Sequence, residues 1–416
     1  MTSSNVNYSC PACGGPLAFD VKLQKLACPY CDSSFTTQEV EDYFAAKQAK
    51  AEAKAEAEAK AASQQTQEQQ PQQSDAAQQP ASKEGTDWFA ASSNADDAVC
   101  DKSQGSADPI QAYLDSKKPL SETDEHVTAV ECSSCGAVMI VSDVSAVTKC
   151  PYCGNNAIVP GKLGSTLEPD LIIPFKNTKK DAVAALTAHY AGKICLPKAF
   201  KDGNHIEEIQ GVYVPFWLYS GTSEGAGEYT CTDTRTWSDS EYHYTEVTTT
   251  YASREGSCSF EMIPADASKR MPDAHMDSIE PYDYSQIEPF SMAYLPGFSA
   301  ERYDQPANAC VKRATKRMQT TLEDELRNSV VGHQGVTTRS FECKEEISDV
   351  KYALLPVWML HTRYNDADFL FAMNGQTGKL VGDLPLDKKK LNLISLATFA
   401  LTFAVTFALG AVFVLN

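Results

Sequence analysis

Two runs of this sequence repeat one cysteine spacing, and that spacing limits the fold more than any other feature. Residues 10–31 read CPACGGPLAFDVKLQKLACPYC and residues 132–153 read CSSCGAVMIVSDVSAVTKCPYC. Both are C-x₂-C-x₁₄-C-x₂-C, and both close on CPYC. A CxxC turn presents two sulfurs to one side, so four thiolates at this spacing can meet at one tetrahedral Zn²⁺ with Zn–S near ~2.3 Å. Cys10, Cys13, Cys28 and Cys31 form one predicted zinc ribbon; Cys132, Cys135, Cys150 and Cys153 form a second. Between the knuckles of the second, Val138, Ile140, Val141, Val144 and Val147 suit a short β-hairpin. A lone CxxC could equally be free or redox-active, but two matched quartets argue for two structural zinc sites.

The remaining cysteines agree. Of the fourteen in the chain, Cys100, Cys195, Cys231, Cys258, Cys310 and Cys343 stand singly, which fits a reducing compartment with bound metal and not a disulfide scaffold. The net charge of −19 over 416 residues repels phosphate backbones unless a local basic face overrides it. Neither ribbon supplies one: only Lys22 and Lys25 lie between the cysteines of the first, and only Lys149 in the second. Backbone tracking and base stacking need a basic face interleaved with aromatics, so nucleic acid is not the expected partner.

Composition divides the chain into an N-terminal ribbon (1–36), a charged Ala-rich helix (37–64), a polar linker (65–124), the second ribbon (125–165), a mixed α/β domain (166–387) and an apolar helix (391–415). The expected class is α+β, multidomain. The Ala-rich helix pairs Glu56 with Lys60 but has no apolar stripe beyond Val40, Tyr43 and Phe44, so it reads as a solvated spacer. The linker is Gln-rich, with Pro71 and Pro80, and cannot bury enough apolar surface to order itself. Trp88 and Phe89 stand out within it, either as an isolated sticky pair or as a short docking motif.

The mixed domain carries its own punctuation. Thr178 and Asp181 make a capping box ahead of a helix faced by Ala182, Val183, Leu186 and Tyr190. Val311, Ala314, Met318, Leu322, Leu326 and Val330 mark a second helix. EYTCTDTRTW and YHYTEVTTTY, separated by SDSE, predict a long hairpin. Residues 206–221 and 347–362 align at Ile206/Ile347, Glu208/Asp349, Pro215/Pro356 and Trp217/Trp358, which predicts two related halves. Proline within such an apolar strand predicts an edge or a bulge. The second Pro-Trp strand turns near Asn365 and Asp366 and returns toward a further turn at Asn374-Gly375.

Leu391–Leu415 has no charge and is long enough to cross a ~30 Å hydrocarbon core. Lys388, Lys389 and Lys390 precede it, and Met1 is followed by polar residues, so the expected protein is a single-pass, tail-anchored cell-membrane protein with its N-terminal bulk in the cytoplasm. Thr398, Thr402, Thr406 and Gly410 form one row of the span, and Ala400, Ala404 and Ala408 another. Such rows allow helices to associate into homo-oligomers; alternatively each Thr satisfies its own backbone.

The segments NHIEEIQGVYVPFWLY, MDSIEPYDYSQIEPFSMAYLPGFSAERYD and KYALLPVWML…FAMNGQTGKLVGDLPLDKKK together resemble a bacterial family of TFIIB-type zinc-ribbon-containing membrane proteins. Some members carry the label "primosomal protein N′/replication factor Y superfamily helicase". The resemblance runs from about Cys132 to Lys390, with the N-terminal ribbon as a further match. CSSC departs from it in lacking the knuckle proline but keeps its ligands. The resemblance implies a membrane anchor for partners of the phage-shock or stomatin-like (SPFH) kind.

A helicase motor needs G-x₄-G-K-[ST], and Gly161-Lys162-Leu163 lacks both the upstream Gly and the hydroxyl. Enzymatic sets could be drawn from His205 with Glu207 and Glu208, or Glu241 with His243. A single carboxylate–His pair on a Thr-rich hairpin is more often a surface ion pair, and the expectation is no enzyme. The expected function is a membrane-anchored zinc-ribbon adaptor that recruits a protein partner. In that reading the N-terminal ribbon searches on roughly a hundred residues of helix and linker. The alternative is a transcription- or replication-associated protein that binds polymerase or nucleic acid.

Overall fold

The computed structural model describes residues 9–47, 49–50, 53–54, 108–117, 119, 127–142, 149–155, 158–160, 166–203, 208–365 and 367–415. They fall into two units, Met1–Val40 with Pro109–Asn416, and Glu41–Asp108. In the smaller unit 41–47, 49–50 and 53–54 are helical, as the Ala-rich composition predicts. The rest of that helix, most of the linker, and Trp88 with Phe89 lie outside the described residues.

In the larger unit the first ribbon is a three-stranded sheet, β1 (Ala18–Asp20), β2 (Lys25–Ala27) and β3 (Ser34–Phe35), with Leu17 and Leu26 fully buried. It does not hang free, as a leash would have it. Phe19 packs edge-on against Tyr294 at 5.3 Å, its N–H donates to the Pro296 carbonyl, and Gln24 Nε2 donates to the Phe175 carbonyl at 2.8 Å.

The stretch read as linker also needs correction. Pro109–Ser116 is a helix, α1, with Ile110 buried. Ile110, Tyr113 and Leu114 fall on one face at i, i+3, i+4, a short amphipathic signal hidden by polar flanks. Tyr113 Oη donates to Asp170 Oδ2 at 2.6 Å, Lys117 pairs with the same carboxylate, and the Tyr113 ring meets Trp217 edge-on.

The second ribbon contributes β4 (Val127–Cys132), β5 (Val138–Ser142) and β6 (Ile158–Pro160), and these continue the main sheet. Of the residues expected to form a hairpin between the knuckles, Val138, Ile140 and Val141 lie in β5, in a hairpin around the first knuckle, and Val144 and Val147 lie outside the described residues. β5 pairs back with β4, and CSSCG is itself the turn.

The main domain runs β7 (Leu171–Ile172), α2 (Lys179–Tyr190), α3 (Lys198–Gly203), β8 (Gln210–Ser238), β9 (His243–Asp266), α4 (Asp273–Ile279), β10 (Glu288–Pro289), β11 (Ser299–Glu301), α5 (Ala307–Asn328), β12 (Gly335–Tyr364), β13 (Ala367–Asn374), β14 (Leu380–Gly382) and α6 (Lys388–Leu415). The Thr178–Asp181 capping box starts α2, and α5 buries Ala314, Met318, Leu322 and Leu326. The sheet order is β10-β7-β12-β8-β11-β5-β4-β6, with β9 beside β8 and β13 beside β12.

The two segments aligned in the sequence lie side by side in the sheet, with Ile206 outside the described residues. β8 and β12 pair antiparallel in a register that sets Val214 opposite Leu355, its own counterpart. On its other edge β8 pairs with β11 at Val212 and Tyr213, then with β9 from Phe216. The edge of β12 does the same with β7 at Ala353 and Leu354, then with β13 from Val357. Pro215 and Pro356 stand at the change of partner. Both strands are therefore interior, contrary to the edge expectation: proline is tolerated where one neighbour ends and the next begins, because no ladder bond is asked of its nitrogen. The Ala267 N–H donates to the Pro215 carbonyl as the Gly375 N–H does to that of Pro356. Trp217 Nε1 donates to the Gln305 carbonyl ahead of α5, and Trp358 Nε1 to the Asn177 carbonyl ahead of α2, each at 2.9 Å. Each half thus supplies the partner of the other's tryptophan, and the two share one core that joins Val212, Val214, Phe216, Leu355 and Val357.

Beyond the core, β9, β8 and the first half of β12 continue as a three-stranded arm. One face is covered by α5, where Tyr229, Cys231, Leu322, Leu326 and Val330 cluster. The arm ends in the predicted hairpin, closed by Asp239, whose carboxylate accepts from the N–H groups of Glu241 and Tyr242.

Candidate metal centres

Both cysteine quartets assemble. Within each, all four sulfurs lie within 4.8 Å of one another. Sγ–Sγ is 3.5 Å for Cys10–Cys31 and Cys13–Cys28, 3.5 Å for Cys132–Cys153 and 3.6 Å for Cys135–Cys150. A tetrahedron with metal–sulfur bonds of ~2.3 Å sets its corners about 3.8 Å apart, whereas a disulfide sets them at about 2.05 Å. The thiols are free, and the spacing suits a metal ion at the centre of each group.

The knuckles share one backbone device. In each, the residue after the second cysteine donates its N–H to the carbonyl of the first: Gly14 to Cys10, Asp32 to Cys28, Gly136 to Cys132, Gly154 to Cys150. All four of those residues have positive φ, from 56° to 75°. Hydrogen bonds from Ser33 bring the Cys31 thiol down to about 6. Burial opposes ionisation of Cys132, but the N–H groups of Cys135 and Ser134 outweigh it and bring the thiol down to about 7. Both shifts favour the thiolate that a metal requires, while neighbours in the same quartets move the other way. Against the Gly15 backbone, hydrogen bonds with Cys31 and Cys28 push the Cys13 thiol up to about 12, and burial raises Cys135 and Cys150.

The two centres differ in how they are held. In the first, Cys13 and Cys31 are exposed and Tyr30 of CPYC is 75% exposed. In the second, Cys132, Cys150 and Tyr152 belong to the domain core. Tyr152 Oη donates to the buried Glu301 Oε2 at 2.5 Å, and Ser268 Oγ to Glu301 Oε1 at 2.8 Å. Arg270 Nη2 donates to the Gly136 carbonyl at 2.6 Å, while its Nη1 faces Glu301 and Asp304. Both knuckles of this ribbon are thereby fixed to the loop after β9 and to β11. Burial pushes the Glu301 carboxyl up to about 7, against the hydrogen bonds of Tyr152 and Ser268 and the charge of Arg270. Cysteine spacing carries no trace of this network. The only sequence signal was the repeated CPYC, which is the same in both ribbons.

Of the other residues considered, Glu208 pairs with Lys149 of the second ribbon at 2.6 Å, and His205 and Glu207 lie outside the described residues. Glu241 and His243 sit exposed at the arm's tip, and among the described residues nothing joins them. In α6, Thr398, Thr402 and Thr406 each donate to carbonyls three and four residues back, which satisfies their hydroxyls within the helix. α6 is long and apolar enough to cross a membrane.

No protein-family model matches the chain, and no solved structure matches it. Over 235 residues it is 33% identical to the uncharacterized protein YdjG of Bacillus subtilis (strain 168), an alignment that spans 56% of this chain and 69% of that one. At that identity and coverage the relationship is one of family: the chain belongs to the family of YdjG.

Proposed function

We propose that the protein is a membrane-anchored, non-enzymatic adaptor with two zinc ribbons, whose arm recruits a protein partner to the cytoplasmic face of the membrane. Four cysteine sulfurs within 4.8 Å of one another, with no nitrogen or oxygen donor grouped with them among the described residues, suit zinc as a closed structural site. α6 supports the anchor: every described side chain from 391 to 407 is exposed, which is costly for an apolar helix in water and natural in lipid.

The arm carries the recruiting role. β12 runs from Gly335, opposite Thr232 near the tip, to Tyr364, which packs on Phe200 of α3. Thirty residues of strand at ~3.3 Å each make about 100 Å of chain. The far end from α3 is the hairpin tip, where Trp237 stacks on Tyr244 at 5.5 Å, Arg235 lies over Trp237, and Tyr242 is 62% exposed. Aromatic and arginine side chains displayed together are what protein interfaces use as anchors. The arm's open face carries Glu224, Glu228, Glu255, Glu261, Glu342 and Glu346, all exposed, which favours a protein over nucleic acid. The family resemblance makes SPFH-type or phage-shock-type membrane assemblies the first partners to look for.

The observation that bears the weight is the aromatic tip at the end of the arm. Crosslinking and pull-down from intact membranes should compare the full chain with Trp237→Ala/Tyr242→Ala/Tyr244→Ala and with a chain lacking 1–36. Loss of one specific protein from the tip variant alone supports the proposal. Recovery of polymerase or DNA, or iron in place of zinc, would overturn it.

A further inference from the structure

Against a net charge of −19, five lysines gather where α6 leaves the domain: Lys193, Lys198, Lys388, Lys389 and Lys390. They bracket an exposed apolar residue, Ile194, which is 75% exposed in the turn after α2 that Gly192 makes with φ +71°. This turn is tied to the first turn of α6. The Asp387 N–H donates to the Cys195 carbonyl at 2.8 Å, and Lys390 Nζ to the Leu196 carbonyl at 3.2 Å. Asp387 also caps α6 through the N–H groups of Lys389 and Lys390 and lies 3.7 Å from Lys390 Nζ, so one lysine is partly neutralised. Beside the turn is a cleft of about 290 Å³, lined by Tyr190, Gly192, Leu196, Lys193, Lys198 and Lys390 as well as Ile194.

We infer that this turn is a second membrane contact: Ile194 enters the interfacial layer, and the cleft receives the phosphate of an anionic phospholipid headgroup. The inference rests on α6 as a span. Because the turn is bonded to residues 387 and 390, it must lie at headgroup depth once 391 onward is in hydrocarbon. Isoleucine on a tight turn supplies the apolar wedge, and lysines with long stems place ammonium groups among phosphates. Each lysine near an anionic leaflet multiplies affinity roughly fivefold, so a surface otherwise repelled by that leaflet would face it by this edge.

The test uses the full chain in nanodiscs of equimolar phosphatidylcholine and phosphatidylglycerol, with p-benzoylphenylalanine in place of Ile194. Irradiation should crosslink phosphatidylglycerol over phosphatidylcholine by roughly tenfold, and Lys193→Ala/Lys198→Ala should bring that ratio close to one. The unmodified chain, released from the same discs into a mass spectrometer, should retain phosphatidylglycerol that the double variant loses. Equal labelling of both lipids, or none, from a chain that stays in the disc at high salt would overturn the inference and leave the anchor intact. A chain that leaves the disc at high salt would overturn the anchor itself, and this inference with it.

Discussion

Tyr30 and Tyr152 occupy the same place in two CPYC knuckles, yet one is open to solvent and the other donates to a buried carboxylate. The difference lies in what each knuckle meets, and the glycines after the cysteines show it too. Gly136 has φ +70° and open space around its missing Cβ, whereas at Gly154, φ +66°, a Cβ would sit 3.1 Å from His361 Nδ1. Gly136→Ala should cost about 1–2 kcal/mol from left-handed strain alone. Gly154→Ala should cost more, and chemical denaturation of the two variants compares them. Glu301 gives a pH signature. Its folded value of about 7 lies above the ordinary 4.5, so the folded state holds a proton that the unfolded state releases, and stability falls as pH rises from about 4.5 to about 7. Glu301→Gln removes that cost, so its stability relative to wild type should climb across the same window; a flat difference would contradict the assignment. The cysteine ligands and the Thr178 cap were legible because local spacing determines them. Glu301 and Arg270 were not, since they act on the ribbon from over a hundred residues away in sequence.

At the scale of elements, the paired strands β8 and β12 were legible as a repeated Pro-Trp phrase, and the helices as 3.6-residue apolar periods. The interior position of those strands was hidden because proline looks the same at an edge and at a change of neighbour. α1 was missed because its apolar face is three residues in eight, set in a polar stretch. If the halves are equivalent, their tryptophans should be too. Trp217→Phe and Trp358→Phe each strip a donor from one carbonyl ahead of a helix, at Gln305 and Asn177, and each should cost about 1–3 kcal/mol. A large cost at one site and none at the other, by urea denaturation, would show that the pre-helix bonds are not equivalent.

For the whole molecule, the ribbons hold unequal amounts of structure. β4–β6 are strands of the main sheet and Cys132 and Cys150 lie in its core, whereas the first ribbon keeps its own three-stranded sheet and touches the domain through Phe19 and Gln24. Metal should leave both centres as pH falls, because protons compete for thiolates. The most direct measurement is metal content together with thermal unfolding of the purified full chain, Cys13→Ser and Cys135→Ser. We predict two zinc ions per chain in wild type, one in Cys13→Ser with the main transition close to wild type, and a strongly lowered main transition in Cys135→Ser. Equal damage from the two substitutions, or a wild-type chain that unfolds identically with and without metal, would contradict this account.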